Sequence, residues 1–172
     1  LGYERDTTPE LKALLQQYQG TGRLIVSNAV STRVAIPMLV NNLREPDNYG
    51  AYKSKSTNIF ANAKKQGYQT AFISAQGLEG LSNWIGIHDI DLWEDTQIRP
   101  APDVGADVVL TPSVEKATLD WNKPFLMVLN SRAPHIPYER NIPQGFAKFS
   151  TPRLSDDVAQ KKNAYDDAVR LY

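Results

Sequence analysis

Helical segments alternate with short apolar runs along most of this chain, and that pattern constrains the fold more than any other feature. A helix is predicted to begin at Pro9 with Thr8 as its cap, because threonine suits a helix cap and proline suits the first helical position. Short apolar strands are predicted at 23–26, 69–74, 87–93 and 125–129. The alternation predicts an α/β fold, layered α/β/α, with a mostly parallel central sheet and a single domain over 1–172.

Helix boundaries follow from capping residues, glycines and prolines. The apolar segment 32–43 contains Pro37, which predicts either a helix start near residue 36 or a kink. Residues 44–56 are predicted as a polar loop. Helices are predicted at 58–66, 112–121 and 156–172, with Thr111 as the cap of the second. The run at 125–129 has the composition of a fully buried strand.

Composition excludes several classes of function. The 172 residues include 19 Lys plus Arg and 19 Asp plus Glu, so the formal net charge is zero, which argues against a polybasic nucleic-acid binder. No apolar run is long enough to predict a membrane span. The absence of cysteine excludes disulfides, zinc fingers and thiol catalysis, and two histidines, His88 and His135, exclude a metal site built mainly from histidine.

Two loops follow predicted strands, and ligands of parallel sheets bind beyond the carboxyl ends of strands. In the first, 27–37, the hydroxyls of Ser31 and Thr32 enter a helix. They suit phosphate binding or a nucleophilic role at a helix N-terminus, although on pattern alone simple capping is the commoner role of such hydroxyls. In the second, His135 stands between Pro134 and Pro137. It suits donation to a phosphoryl or sulfuryl oxygen, or a plain bond to a backbone carbonyl. His88, Trp84 and Trp93 are interpreted as structural or packing residues.

Five segments, in order along the chain, resemble phosphoethanolamine transferases of the alkaline phosphatase/sulfatase superfamily. The segment 1–9 resembles the stretch after their first metal-ligand motif, and 27–37 resembles their nucleophile segment. The remaining three segments are a helix–glycine–strand unit, a Pro-His-x-Pro loop and the helix before the last metal motif, at 58–74, 133–137 and 163–169.

The resemblance implies a zinc-dependent enzyme of incomplete alkaline phosphatase/sulfatase-like fold. It places Thr32 on the nucleophile, which is also a zinc ligand, and His135, Gln76 and Asn130 on substrate-binding positions. The implied reaction moves phosphoethanolamine from phosphatidylethanolamine to a lipid A or glycan acceptor through a phospho-threonine intermediate. The implied location is the periplasmic face of the bacterial inner membrane, with the parent protein anchored in that membrane.

The sequence also departs from the family pattern. Gly80 stands where some members have a substrate lysine, Ala35 replaces a common serine, and Asn28 and Met38 stand where some members have a disulfide pair. The other zinc ligands are expected outside 1–172, so the chain is expected to be an internal part of a catalytic domain and inactive alone. Three alternatives stay open, and the first two are a catalytically inactive domain that binds or senses lipid headgroups, and a sulfatase. The second is disfavoured because the chain lacks the C/S-x-P-x-R pattern. A plain α/β domain, in which Thr32 is only a cap and His135 only a loop residue, also stays open.

Overall fold

The computed structural model describes residues 3–23, 27, 29–45, 47–95, 107, 110–149 and 157–171. The predicted strand at 23–26 lies almost entirely outside them. The chain divides into two compact units, which are described separately. The first unit comprises Leu1–Ile25, Pro102–Val108 and Arg132–Tyr172, and the second comprises Val26–Ala101 and Val109–Ser131.

The second unit is built on a parallel sheet, which confirms the predicted α/β class. Strands β1 (Gln69–Ser74), β2 (Leu92–Glu94) and β3 (Phe125–Asn130) lie in the order β2-β1-β3, and both pairings are parallel. The central strand β1 is buried along nearly its whole length. Ala71 lies opposite Leu92 on one side and Met127 on the other.

Aromatic and aliphatic side chains form the core of this unit around β1. The Phe72 ring stacks on Trp93 at a centroid distance of 5.0 Å and meets Phe60 edge-on at 6.2 Å. Val40 and Ile85, both fully buried, complete the cluster. Trp93 is therefore a packing residue, as its sequence context predicts.

Five helices belong to the second unit in the described part of the chain, one of them a single turn. Three of them differ from the predictions. The helices of this unit are α2 (Thr32–Val40), α3 (Tyr49–Ser54), α4 (Ile59–Lys65), α5 (Ser82–Ile85) and α6 (Leu110–Glu115). Helix α2 begins at Thr32 rather than near residue 36 and runs through Pro37. Helix α3 lies within the predicted loop 44–56, and Asn48 caps it by accepting from the amide of Ala51 at 3.2 Å.

Helix α6 starts two residues earlier than predicted and ends at Glu115 rather than at residue 121, and Thr111 lies inside it instead of capping it. The start before Pro112 costs no backbone hydrogen bond, because the first amides of a helix have no intrahelical partner. The predicted strand 87–93 is also shorter: Ile87–Asp89 forms a 3₁₀ turn before β2 begins at Leu92.

Strand β3 is not the fully buried strand that its composition predicts. Phe125 is 41% exposed and Leu129 is 50% exposed. The reason is position: among the described strands β3 pairs only with β1, so it forms an edge. Strand β1 has a neighbour on both sides and is buried, so position in the sheet, rather than apolar content, determines how deeply a strand is buried.

The first unit contains helices α1 (Pro9–Gln17) and α7 (Asp157–Val169) and a 3₁₀ turn at Tyr138–Asn141. Buried carboxylates organise it. Asp166 accepts from Tyr3 Oη at 2.8 Å and Arg5 Nη1 at 2.7 Å, which binds the N-terminal segment to α7. No residue of α1 is buried. No helix in the described part of the chain is long and apolar enough to cross a membrane.

Candidate functional site

Thr32 is the first residue of α2, at a helix end that has unused hydrogen-bonding capacity. Ser31 holds the N-cap position in an extended conformation, and its hydroxyl makes no capping bond. The Ser31 carbonyl accepts from Val34 and Ala35 at 3.0 and 2.8 Å. The amides of Thr32 and Arg33 and the Thr32 hydroxyl have no partner among the described residues. Free amides at the positive end of a helix suit an anion.

This arrangement bears on the two interpretations of the first loop. Ser31 supplies the cap through its backbone alone, so neither Ser31 nor Thr32 caps α2 with its hydroxyl. The Thr32 side chain is half-buried, and its oxygen stays available for other chemistry.

Ser74 joins the carboxyl ends of β1 and β3 and positions two of the predicted substrate residues. Its hydroxyl donates to the Gln76 carbonyl at 2.8 Å and accepts from the Gln76 amide at 3.0 Å. It also accepts from Asn130 Nδ2 at 2.8 Å. Gln76 Nε2 in turn donates to the Ser131 carbonyl at 2.7 Å. Parallel pairing of Ser74 with Asn130 therefore brings Gln76 and Asn130 to one edge of the sheet.

His135 lies on an exposed loop of the first unit, and its ring orientation is fixed. Nδ1 lies 2.6 Å from the Ile136 carbonyl, which can only accept, so Nδ1 carries the proton and Nε2 is left facing outward as the available atom. The Asn141 amide donates to the His135 carbonyl at 2.7 Å. This geometry matches the backbone-bonded interpretation of His135 and still leaves one ring nitrogen for a ligand.

The strand-to-loop junction before His135 is held by a carboxylate that the sequence did not single out. Asp107 accepts from the backbone amides of Arg132 and Ala133 at 2.6 and 2.5 Å. A carboxylate that receives two amides stabilises a turn much as an N-cap stabilises a helix. No local pattern signals this contact, because the partners are 25 and 26 residues apart.

The predicted site residues are distributed over both units. Thr32, Gln76 and Asn130 belong to the second unit, where the sheet brings Gln76 and Asn130 together. His135 belongs to the first unit.

A groove of about 390 Å³ lies beside α2 in the second unit, and the sequence did not predict it. Its polar and aromatic lining comes from Arg33, Asp47, Tyr52 and Trp84. These residues come from three separate stretches of chain, so no motif in the sequence connects them. The sequence predicts that Trp84 is a packing residue. The centroid of its ring lies 5.3 Å from that of Tyr52, but 37% of the residue is exposed.

Metal-ligating side chains do not cluster in the described part of the chain. No group of three or more His, Cys, Asp or Glu residues there could hold a metal ion. The sequence resemblance places only Thr32 of an expected zinc shell within this chain, and the described residues do not by themselves fit a zinc site.

Comparisons with known proteins agree with one another. A family model described as "Sulfatase" matches residues 1–172. The structure is similar to the C-terminal periplasmic domain of EcEptC from Escherichia coli, with a TM-score of 0.62 and 20% sequence identity. That match covers 98% of this chain and 49% of the other, so the chain spans about half of that domain. No curated protein matches the chain.

Proposed function

Because the chain belongs to the sulfatase family, we propose that the protein carrying it is a phosphoethanolamine transferase with Thr32 as its nucleophile. The donor is phosphatidylethanolamine, and the acceptor is a hydroxyl of lipid A or a glycan. The protein acts at the periplasmic face of the bacterial inner membrane. The fold similarity to a periplasmic domain supports this location.

One observation carries the proposal: the Thr32 hydroxyl stands at the start of α2, beside two backbone amides that have no partner among the described residues. A phosphoryl group that Thr32 attacks gathers negative charge on its equatorial oxygens. The amides of Thr32 and Arg33 are fixed before the reaction and lie at the positive end of the helix dipole. They therefore suit stabilisation of that charge without reorganisation.

The proposed first step is a substitution at phosphorus. Thr32 Oγ forms a bond to the phosphorus of phosphatidylethanolamine, and the bond from phosphorus to the diacylglycerol oxygen breaks. The proton that Thr32 loses is balanced by the proton that the departing diacylglycerol oxygen gains. The acceptor hydroxyl oxygen then forms a bond to the phosphorus of the phosphoethanolamine-threonine ester, and the bond from phosphorus to Thr32 Oγ breaks. The proton that the acceptor hydroxyl loses restores the threonine hydroxyl.

The other three site residues are proposed to position the phosphoethanolamine group. His135 presents Nε2, since Nδ1 is held by the Ile136 carbonyl. Gln76 and Asn130 each commit one amide N–H to the sheet edge, and their side-chain oxygens have no described partner. Oxygens of this kind suit the ammonium end of the headgroup, which is a donor only.

Zinc is proposed for the longer protein, with ligands supplied from outside these 172 residues in addition to Thr32. When bound, zinc acts as a Lewis acid that lowers the pKa of a coordinated hydroxyl. The described residues form no metal cluster, and the isolated chain is accordingly expected to show no turnover.

The test uses the protein extended at both ends of this chain. It is supplied with zinc and vesicles of phosphatidylethanolamine, and release of diacylglycerol is measured for the wild type and for Thr32→Ala. Release that depends on Thr32 supports the transferase. Hydrolysis of an aryl sulfate without diacylglycerol release would instead establish a sulfatase. Vesicle binding without either product would establish a headgroup-binding domain.

A further inference from the structure

The groove beside α2 combines features that suit a sugar ring, and it is separate from the Thr32 hydroxyl. Arg33, Val34 and Pro37 line it from α2. At about 100° per residue these three share one helix face, centred roughly 150° around the axis from Thr32. A ligand in the groove therefore does not need the nucleophile in order to bind.

Two charged side chains line the groove. Arg33 and Asp47 are exposed, and neither forms a hydrogen bond or ion pair with any residue that the structure describes. The guanidinium offers only donors and the carboxylate only acceptors. The hydroxyl groups of a sugar can both donate and accept, so one such ligand can satisfy both side chains.

Aromatic rings form part of the wall. Trp84 and Tyr52 meet edge-to-face, with ring planes at 86°. In such a pair one ring turns its edge to the other, and a partly exposed indole presents apolar surface to a ligand. Axial C–H groups of a pyranose pack on this kind of surface, while its hydroxyls reach the polar residues at the rim.

The backbone that carries Trp84 is fixed by two buried asparagines. Asn41 Nδ2 donates to the Trp84 carbonyl at 2.7 Å, and Asn58 Nδ2 donates to the Ile85 carbonyl at 2.9 Å. Both asparagines are fully buried. The aromatic wall is therefore positioned before any ligand arrives, which lowers the entropic cost of binding.

From this juxtaposition of Arg33, Asp47, Tyr52 and Trp84 in a groove of about 390 Å³, we propose that the second unit binds a neutral saccharide. The volume lies within the range of small-molecule sites. As a site for the saccharide part of the proposed glycan acceptor the groove rests on the proposed function, whereas the binding itself is independent of zinc and of Thr32.

The test titrates the full 172-residue chain with cellobiose, an uncharged disaccharide, and follows tryptophan fluorescence and amide chemical shifts. We expect saturable binding that weakens about tenfold or more in Trp84→Ala and in Arg33→Gln. Trp121→Ala is the matched control, because Trp121 is also exposed and lies outside the groove. Thr32→Ala is expected to bind as the wild type does, which separates this proposal from the proposed function.

If Trp84→Ala misfolds, Arg33→Gln and Asp47→Asn still test the proposal, since both residues are exposed. Both variants are expected to bind cellobiose more weakly than the wild type. Absence of saturable change with cellobiose, equal binding by Arg33→Gln, or tighter binding of phosphoethanolamine than of cellobiose in the groove would each overturn the proposal.

Discussion

The amide of Asn130 donates to the hydroxyl of Ser74 at 2.8 Å, across the register pair that ends β3 and β1. The same hydroxyl binds both backbone polar groups of Gln76. Ser74 is 3% exposed, so these bonds are shielded from water. One serine therefore sets the position of two residues proposed to contact substrate.

Ser74→Ala should remove this junction. We expect a loss of about 1 to 3 kcal/mol in the free energy of unfolding, because buried polar groups lose their partner. Urea unfolding measures the loss, and faster hydrogen exchange of the Asn130 side-chain amide reports the freed group. Ser54→Ala is the control, since Ser54 makes its bonds to the Ala51 carbonyl and to Ser56 on the surface. Equal effects of the two substitutions would contradict the account.

Asn58→Ala should be among the most destabilising polar substitutions in the second unit. Asn58 Oδ1 caps α4 by accepting from the backbone amides of Phe60 and Ala61 at 3.0 and 3.1 Å. Its Nδ2 donates to the Ile85 carbonyl. Loss of a cap together with a buried unpaired carbonyl predicts a cost of about 2 to 4 kcal/mol.

Asn48→Ala provides the comparison for Asn58→Ala in thermal or urea unfolding. Asn48 also caps a helix, but in an exposed position and with one bond. Its replacement should cost about 1 kcal/mol or less. If the two alanine variants were equally stable, burial of the Asn58 network would not be contributing as described.

Asp166→Asn should loosen the N-terminal segment from α7. The Asp166 side chain is 1% exposed and that of Arg5 is 28% exposed, so the substitution leaves a mostly shielded guanidinium without its counter-charge. We expect a cost of about 2 to 3 kcal/mol, reduced from that of a fully buried pair because Arg5 reaches solvent.

The exposed ion pair of Lys12 with Asp6 is the control for Asp166→Asn. Asp6→Asn should leave stability unchanged within error, since solvent screens such pairs. Limited proteolysis supplies a second readout, with faster cleavage near Tyr3 and Arg5 expected only in Asp166→Asn. Protection equal to the wild type would contradict the described contact.

Asp91 should contribute to stability against acid. Partial burial raises the pKa of Asp91, but the Lys64 ammonium at 2.9 Å and hydrogen bonds from Thr70 outweigh it, so the pKa is lowered overall. A carboxyl with a lowered folded-state pKa stabilises the fold above its ordinary pKa, near 4, and that stability is lost as pH falls below it. The carboxyl is 41% exposed, so the effect is modest.

Thermal unfolding between pH 7 and pH 3 measures this effect. Asp91→Asn should be less stable than the wild type at pH 7, and the difference should shrink toward pH 3. Glu79→Gln, at an exposed position, should follow the wild-type profile. A difference for Asp91→Asn that stays constant with pH would rule out the charge as its source.

Local signals predicted the helix–strand unit around α4 and β1 well. Asn58 precedes an apolar face that buries Phe60, Gly67 ends the helix with φ +80°, and an apolar run follows as β1. Each of these signals acts within a few residues, and the structure confirms them.

Signals that depend on distant partners were missed. The exposure of Phe125 depends on which strands flank β3, and the contact of Asp107 with Arg132 spans 25 residues. Helix α3 was missed because a single asparagine cap starts it within a polar segment. The groove residues escaped notice for the same reason, since the fold alone brings Arg33 and Trp84 onto one surface.

Peptide mass mapping shows directly whether Thr32 carries the phosphoethanolamine group. The extended protein is incubated with zinc and phosphatidylethanolamine, quenched and digested, beside its Thr32→Ala, Thr32→Ser and Ser31→Ala variants. The account predicts a phosphoethanolamine adduct on residue 32 in the wild type, in Thr32→Ser and in Ser31→Ala, and none in Thr32→Ala. An adduct that persists in Thr32→Ala, or an unmodified Thr32 when zinc and lipid are both bound, would contradict it.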